Sequence, residues 1–266
     1  MQLFMPENAI DPYFTKFDEV ITMGSIPAKL SLMITAPHPL CLMAAMQLQA
    51  YLSSQTDWVH NFGLSNQNEG AVIGKMFGVL VVQNQVGEIG YLSAFSGKLA
   101  GRNQHAKFVP PVFDLLTENS FLNTGMTELT RMNLLVRTLE EQNDPNQKIE
   151  IARLKETRKA HSIALQDQIF EHYHFLNQAG EEKSLKKIFA NAGYKKPPAG
   201  AGECAAPKLL QYAFQHKMRP VALAEFWWGQ SPKSDFWKHG HFYACCKEKC
   251  EPIFKHTLAG IDIEKG

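Results

Sequence analysis

Three of the chain's five cysteines fall within six residues, in His239-Gly-His-Phe-Tyr-Ala-Cys245-Cys246-Lys-Glu-Lys-Cys250. A fourth, Cys204, stands upstream in Gly202-Glu-Cys204-Ala-Ala-Pro207-Lys208-Leu-Leu. The apolar run Val221-Ala-Leu-Ala-Glu-Phe-Trp-Trp228 lies between them and reads as a strand. Cys204 precedes one helix-like stretch, Pro207–Phe214, and Cys246 and Cys250 open another through Glu251-Pro-Ile-Phe-Lys-His256. Helix N-termini carry partial positive potential and favour thiolates. Two such termini set side by side by the intervening strand bring three thiols together. Zinc takes sulfur or nitrogen ligands tetrahedrally at roughly 2.0–2.3 Å. Cys204, Cys246 and Cys250 are therefore candidate ligands of a structural zinc ion. Cys246 and Cys250 are four apart and share a face if that turn is helical. Water, Cys245, His239 and His241 are open choices for the fourth ligand. Two plainer readings stand beside this one. Free cysteine is a common small apolar core residue, and Cys245 or Cys246 could form a redox disulfide with Cys250. The spacing is also wider than the Cys-x2-Cys of zinc knuckles.

The 266 residues suffice for one large domain or two modest ones. A net charge of +1 excludes a strongly basic tail but leaves room for a local basic face. No stretch approaches eighteen uncharged apolar residues, so no membrane span is expected. The N-terminal Met1-Gln-Leu-Phe-Met-Pro lacks the basic start and apolar core of a secretory signal. An odd number of cysteines without such a signal points to a reducing, cytoplasmic setting.

Residues 1–37 read as an irregular arm with a short strand at Ser31-Leu-Met-Ile-Thr35. Pro37 and Pro39 lead into a buried helix, Leu40–Leu52. The clearest β signal follows. Val72–Val82 and Ile89–Phe95 flank the turn Asn84-Gln-Val-Gly87 and predict a hairpin. The small-residue loop Ser96–Gly101 matches no phosphate-loop pattern. Helices are expected over Glu128–Glu141, over Gln147–Gln178 as one long element, and over Glu182–Ala192, with Gly180 as a stop. Ile151, Leu154, Leu165, Ile169 and Leu176 give the long helix a partial seam, which Arg158 and His161 interrupt. The expected organisation is an α/β core whose two halves, 1–101 and 201–266, flank a mostly helical, coiled-coil-like insertion, 102–200.

Several long motifs carry a resemblance. Gly200-Ala-Gly-Glu-Cys-Ala-Ala-Pro-Lys-Leu-Leu-Gln-Tyr-Ala213, Ala224-Glu-Phe-Trp-Trp-Gly-Gln-Ser-Pro232 and His239-Gly-His-Phe-Tyr243 with Cys246 and Cys250 resemble the N-terminal region of long RluA-type RNA pseudouridine synthases. Gly74–Val82, Tyr91–Gly101 and Phe108–Asp114 are similar to the same region. In that family a catalytic domain follows and carries an aspartate in a His-Arg-Leu-Asp motif. This chain has no such motif. The resemblance thus implies a part in uridine isomerisation whose chemistry is done elsewhere, and it implies no cofactor for that reaction.

A second resemblance concerns the scaffold. Zinc nucleobase deaminases place a His or Cys and a Glu at one helix start and a cysteine pair at the next, with a strand between and a helix and hairpin before. That order implies a mixed-sheet, deaminase-like core. Deaminase chemistry needs zinc to activate water and a glutamate to shuttle protons. The glutamate's place, two after the first ligand, is Ala206. Glu203 precedes the cysteine and is rotated by about 100° per helical residue. The displaced glutamate and the Cys-x3-Cys spacing of Cys246 and Cys250, where the resemblance implies Cys-x2-Cys, both argue for the scaffold without the activity. Whether Glu203 or Glu225 faces a pocket is left open by the sequence.

Basic residues crowd the third quarter of the chain. Lys195, Lys196, Lys208, Lys233 and Lys238 are candidate RNA contacts, and Trp237, between Phe236 and Lys238, is a candidate stacking platform. Structured RNA, tRNA or rRNA, is the expected partner. The alternatives are a zinc hydrolase of the deaminase type and a protein-interaction module that dimerises through helix 147–178.

Overall fold

The computed structural model describes residues 11–33, 36–65, 70–114 and 121–264. A mixed sheet forms the centre. Its strands are β1 (Thr15–Lys16), β2 (Ser31–Leu32), β3 (Lys75–Gln83), β4 (Ile89–Phe95), β7 (Arg219–Trp228) and β8 (Phe242–Tyr243). The spatial order is β1-β4-β3-β7-β2, with β8 also paired to β7. All pairings are antiparallel except that of β2 with β7. The predicted hairpin is present as β3 and β4, with Val81 opposite Tyr91 and Phe77 opposite Phe95. A register shift opposite Val81 and Val82 accommodates Pro220, which has no N–H to give to a ladder. Of the expected strand at 31–35, Ser31 and Leu32 are β2, and Ile34 and Thr35 lie outside the described residues.

Six helices occur among the described residues: α1 (Pro39–Ser54), α2 (Phe121–Glu141), α3 (Lys148–His172), α4 (Leu185–Asn191), α5 (Ala205–Gln215) and α6 (Glu251–Thr257). β3 is apolar on both sides because both sides are covered. Phe77, Val79 and Val81 pack with Leu40, Ala44, Ala45 and Leu48 of α1. Leu80 and Val82 pack with Leu209, Leu210 and Ala213 of α5. The sheet therefore lies between α1 and α5, and α5 arrives with Cys204 at its N-cap.

The helical segment differs from the sequence expectation. α2 starts at Phe121 rather than near Glu128, and the long helix ends at His172, not Gln178. Tyr173 and Phe175 are both buried, in a third cluster with Phe170, Leu185, Ile188, Phe189 and Ile253. Burying them stops α3 and turns the chain into a short hairpin, β5 (His174–Leu176) and β6 (Glu182–Ser184). Gly180, at φ +80°, serves the turn of this hairpin instead of ending a helix. The Ser184 hydroxyl then caps α4 by accepting from the Lys187 N–H. α2 and α3 pack on each other: Lys155 pairs with Glu140 at 2.7 Å, and Arg158 donates to Asn133. Of the seam expected for self-association, Leu165 is buried within this chain and Leu176 lies in β5, outside the helix.

Candidate metal centre

The sulfurs of Cys204, Cys246 and Cys250 all lie within 4.8 Å of one another, and those of Cys246 and Cys250 are 3.5 Å apart. Tetrahedral zinc with bonds near 2.3 Å holds its sulfurs about 3.8 Å apart, so the set suits that ion in donor type and spacing. Two local devices place the three sulfurs. Gly202, at φ +89°, turns the chain into α5, and a Cβ there would stand 2.7 Å from Tyr173 Cδ1. Only glycine meets both demands, and Cys204 follows at the N-cap with extended backbone. On the other side the Cys250 N–H donates to the Cys246 carbonyl at 3.1 Å. That turn sets the two side chains close together. Cys250 is buried at the N-cap of α6, and Cys246 is exposed.

Crowding sets the protonation. Hydrogen bonds from Cys204, then Cys250, hold the Cys246 thiol far below its ordinary range. The same bonds push Cys204 up, chiefly through Cys246, and push Cys250 up, first through Cys204. The three thiols thus oppose one another's ionisation, with Cys246 the one favoured as thiolate. A bound cation removes that opposition.

The candidates for a fourth ligand fall outside this set. His239 Nδ1 accepts from the Gly229 N–H at 3.0 Å, with its ring against Trp228. The His241 carbonyl accepts from the Trp227 N–H. Burial raises the Cys245 thiol, and Glu225 beside it raises it further. Glu225 was legible only as one acid in an apolar strand. It is 4 % exposed, and its carboxylate accepts from the Ala206 N–H at 3.1 Å. Burial pushes it up to about 7 against the pull of its Cys245 and Ala206 hydrogen bonds. The Glu203 charge acts instead on Lys75 and Lys208.

A pocket of about 190 Å³ adjoins the cluster. It opens where the edge of β7 changes partner. β2 pairs at Ala222 and Leu223, and β8 at Glu225 and Phe226. Ala224, between these pairings, lines the gap with Glu225, Tyr243, Cys245 and Cys246.

The proposed RNA residues divide into three groups. Lys233, Trp237 and Lys238 share one loop. Trp237 stacks on Trp227 at 5.2 Å and 21° and meets Phe236 and Tyr243 edge-on. The Tyr243 hydroxyl accepts from the Lys238 N–H and donates to the Phe236 carbonyl, fixing the loop to β8. Lys233 and Lys238 are exposed, and Phe236 is 66 % exposed. Lys195 and Lys196 are exposed on a different segment, after α4. Lys208 does not belong to any such surface. It is 3 % exposed, and its ammonium donates to the Phe95 carbonyl at 2.9 Å and lies over the Phe95 ring. α5 is buried over Ala205–Ala213, and the lysine is carried inward with it.

Burial lowers Lys208 to about 8 from 10.5. Below pH 8 both folded and unfolded chains hold the proton, and the cost of the buried charge is constant. Above it the folded chain releases the proton first, so stability rises until the unfolded lysine also titrates. The gain in urea stability from about pH 7 to 9.5 is expected to be greater in the wild type than in Lys208→Met by roughly 2 kcal/mol. Equal gains would place the ammonium in solvent.

No protein-family model matches the chain, and no curated protein or solved structure matches it. No helix among the described residues is long and apolar enough to cross a membrane.

Proposed function

We propose that this chain is an RNA-binding module, clamped by a structural zinc ion on Cys204, Cys246 and Cys250, that serves a pseudouridine synthase by holding structured tRNA or rRNA. The observation that carries the reading is the aromatic shelf of Trp227, Trp237, Phe236 and Tyr243, edged by exposed Lys233 and Lys238. Aromatic faces take unpaired bases, and lysines neutralise the phosphates between them. The thiol cluster lies just beyond β8, so a metal there fixes the far end of the segment that bears the shelf. The resemblance to the N-terminal region of RluA-type synthases supplies the RNA context, and the isomerisation belongs to a separate domain. A deaminase-like core is consistent with the helix, hairpin, helix, strand and helix order and with thiols at two helix starts. Free thiols throughout suit a reducing compartment such as the cytoplasm.

Fluorescence anisotropy with labelled single-stranded and stem-loop RNA tests the reading. Binding is expected to weaken linearly in log–log form as salt rises from about 50 to 200 mM. No binding at low salt, or binding indifferent to salt, removes it.

A further inference from the structure

We infer that the metal centre keeps one exchangeable coordination position, turned toward Glu225 and the pocket at the β2–β8 gap, and takes water or a small neutral donor there. This rests on the metal reading above but assigns the ion more than a clamping role. Among the described residues only Cys204, Cys246 and Cys250 come within 4.8 Å of one another as a ligand set. Closed structural zinc sites have four protein ligands, whereas three protein ligands leave the fourth place to water or a substrate. Neither His239 nor His241 places a ring nitrogen within that set, and Cys245 is turned to Glu225.

Space and solvent lie on the same side. Cys246 is the exposed member of the trio, and it lines the pocket together with Glu225 and Tyr243. About 190 Å³ holds several waters or one small heterocycle. Glu225 is the group that faces whatever enters. Its anchor is the backbone N–H of Ala206, two residues after Cys204. A carboxylate of β7 thus stands beside the first turn of α5. Glu225 touches the incoming donor and acts as its hydrogen-bond partner.

Cobalt(II) substitution of the full chain separates the possibilities. One equivalent should give the intense visible bands of tetrahedral cobalt with thiolate ligands. Imidazole should then shift those bands saturably while thiolate-to-metal charge transfer persists at a strength typical of three sulfurs. Glu225→Gln should change the imidazole dissociation constant by about two- to tenfold, and Cys245→Ser should leave the starting spectrum unchanged. Absence of the cobalt bands defeats the metal reading itself. Bands that ignore imidazole, or that change in Cys245→Ser, show a closed four-ligand site and overturn the inference while the metal stands. An unaltered imidazole affinity in Glu225→Gln overturns the role given to that carboxyl.

Discussion

For the proposed zinc centre, a strong chelator is expected to lower the melting temperature by roughly 8–16 °C, the shift that about 4 kcal/mol of ligand-linked stability brings to a chain of this size. The loss should be local at first. The cluster ties α5, which packs on the central sheet, to the turn before α6, which packs with β5 and α4. All five cysteines are free, so no disulfide joins Cys204 to the 246–250 turn. Without the ion the three sulfurs keep only weak S–H contacts and their mutual repulsion. Cys204→Ala and Cys250→Ala should each abolish stoichiometric zinc and melt like the chelated wild type. Cys41→Ala is the control. Its thiol is fully buried on the sheet side of α1, in the cluster that holds Val79 and Val81, so its loss trims the core and leaves one zinc per chain. Identical melting curves with and without chelator, or zinc retained by Cys250→Ala, would refute the centre.

How far the amino-acid sequence foretold this arrangement depended on how clean each pattern was. β4 spans Ile89–Phe95 as predicted because its residues are β-formers bounded by Gly87 and Ser96. The convergence of three thiols followed from their positions at element ends, with β7 returning the chain between them. The end of α3 was hidden. The residues past His172 are weak helix formers but too few to mark a strand after so long a helical run, and it is the burial of Tyr173 and Phe175 against Leu185 and Phe189 that makes three residues of strand worth forming. The first turn of α2 was hidden by Gly125, a poor helix residue that is kept because Leu165 occupies the place of its Cβ at 2.6 Å. Lys208 misled because it shares a polar stripe with Gln211 and Gln215 that reads as a solvent face, whereas α5 is covered so fully that Lys208 and Gln211 are both buried. Glu225 carried a usable signal. One acid inside Val221–Trp228 is costly unless paired, and it is paired with Ala206 and Cys245.

Trp237→Ala is expected to weaken RNA binding roughly 5- to 150-fold, the range that corresponds to about 1–3 kcal/mol per stacked base. The slope of log affinity against log salt should stay unchanged, because the indole removes no phosphate contact. Replacing Lys233 and Lys238 by alanine should do the reverse, reducing that slope by about 0.7 per lysine on single-stranded RNA. Lys208→Met should alter neither quantity, since its ammonium is held inside by the Phe95 carbonyl. Folding is a separable matter. Trp237 is only half-buried, and Trp227, Tyr243 and Phe236 remain around its site. A melting temperature close to wild type in Trp237→Ala therefore assigns its weaker binding to the missing ring. Wild-type affinity in Trp237→Ala alongside a reduced slope in the lysine variants would mean that this face meets only the RNA backbone, and base stacking would have to be given up as the basis of recognition.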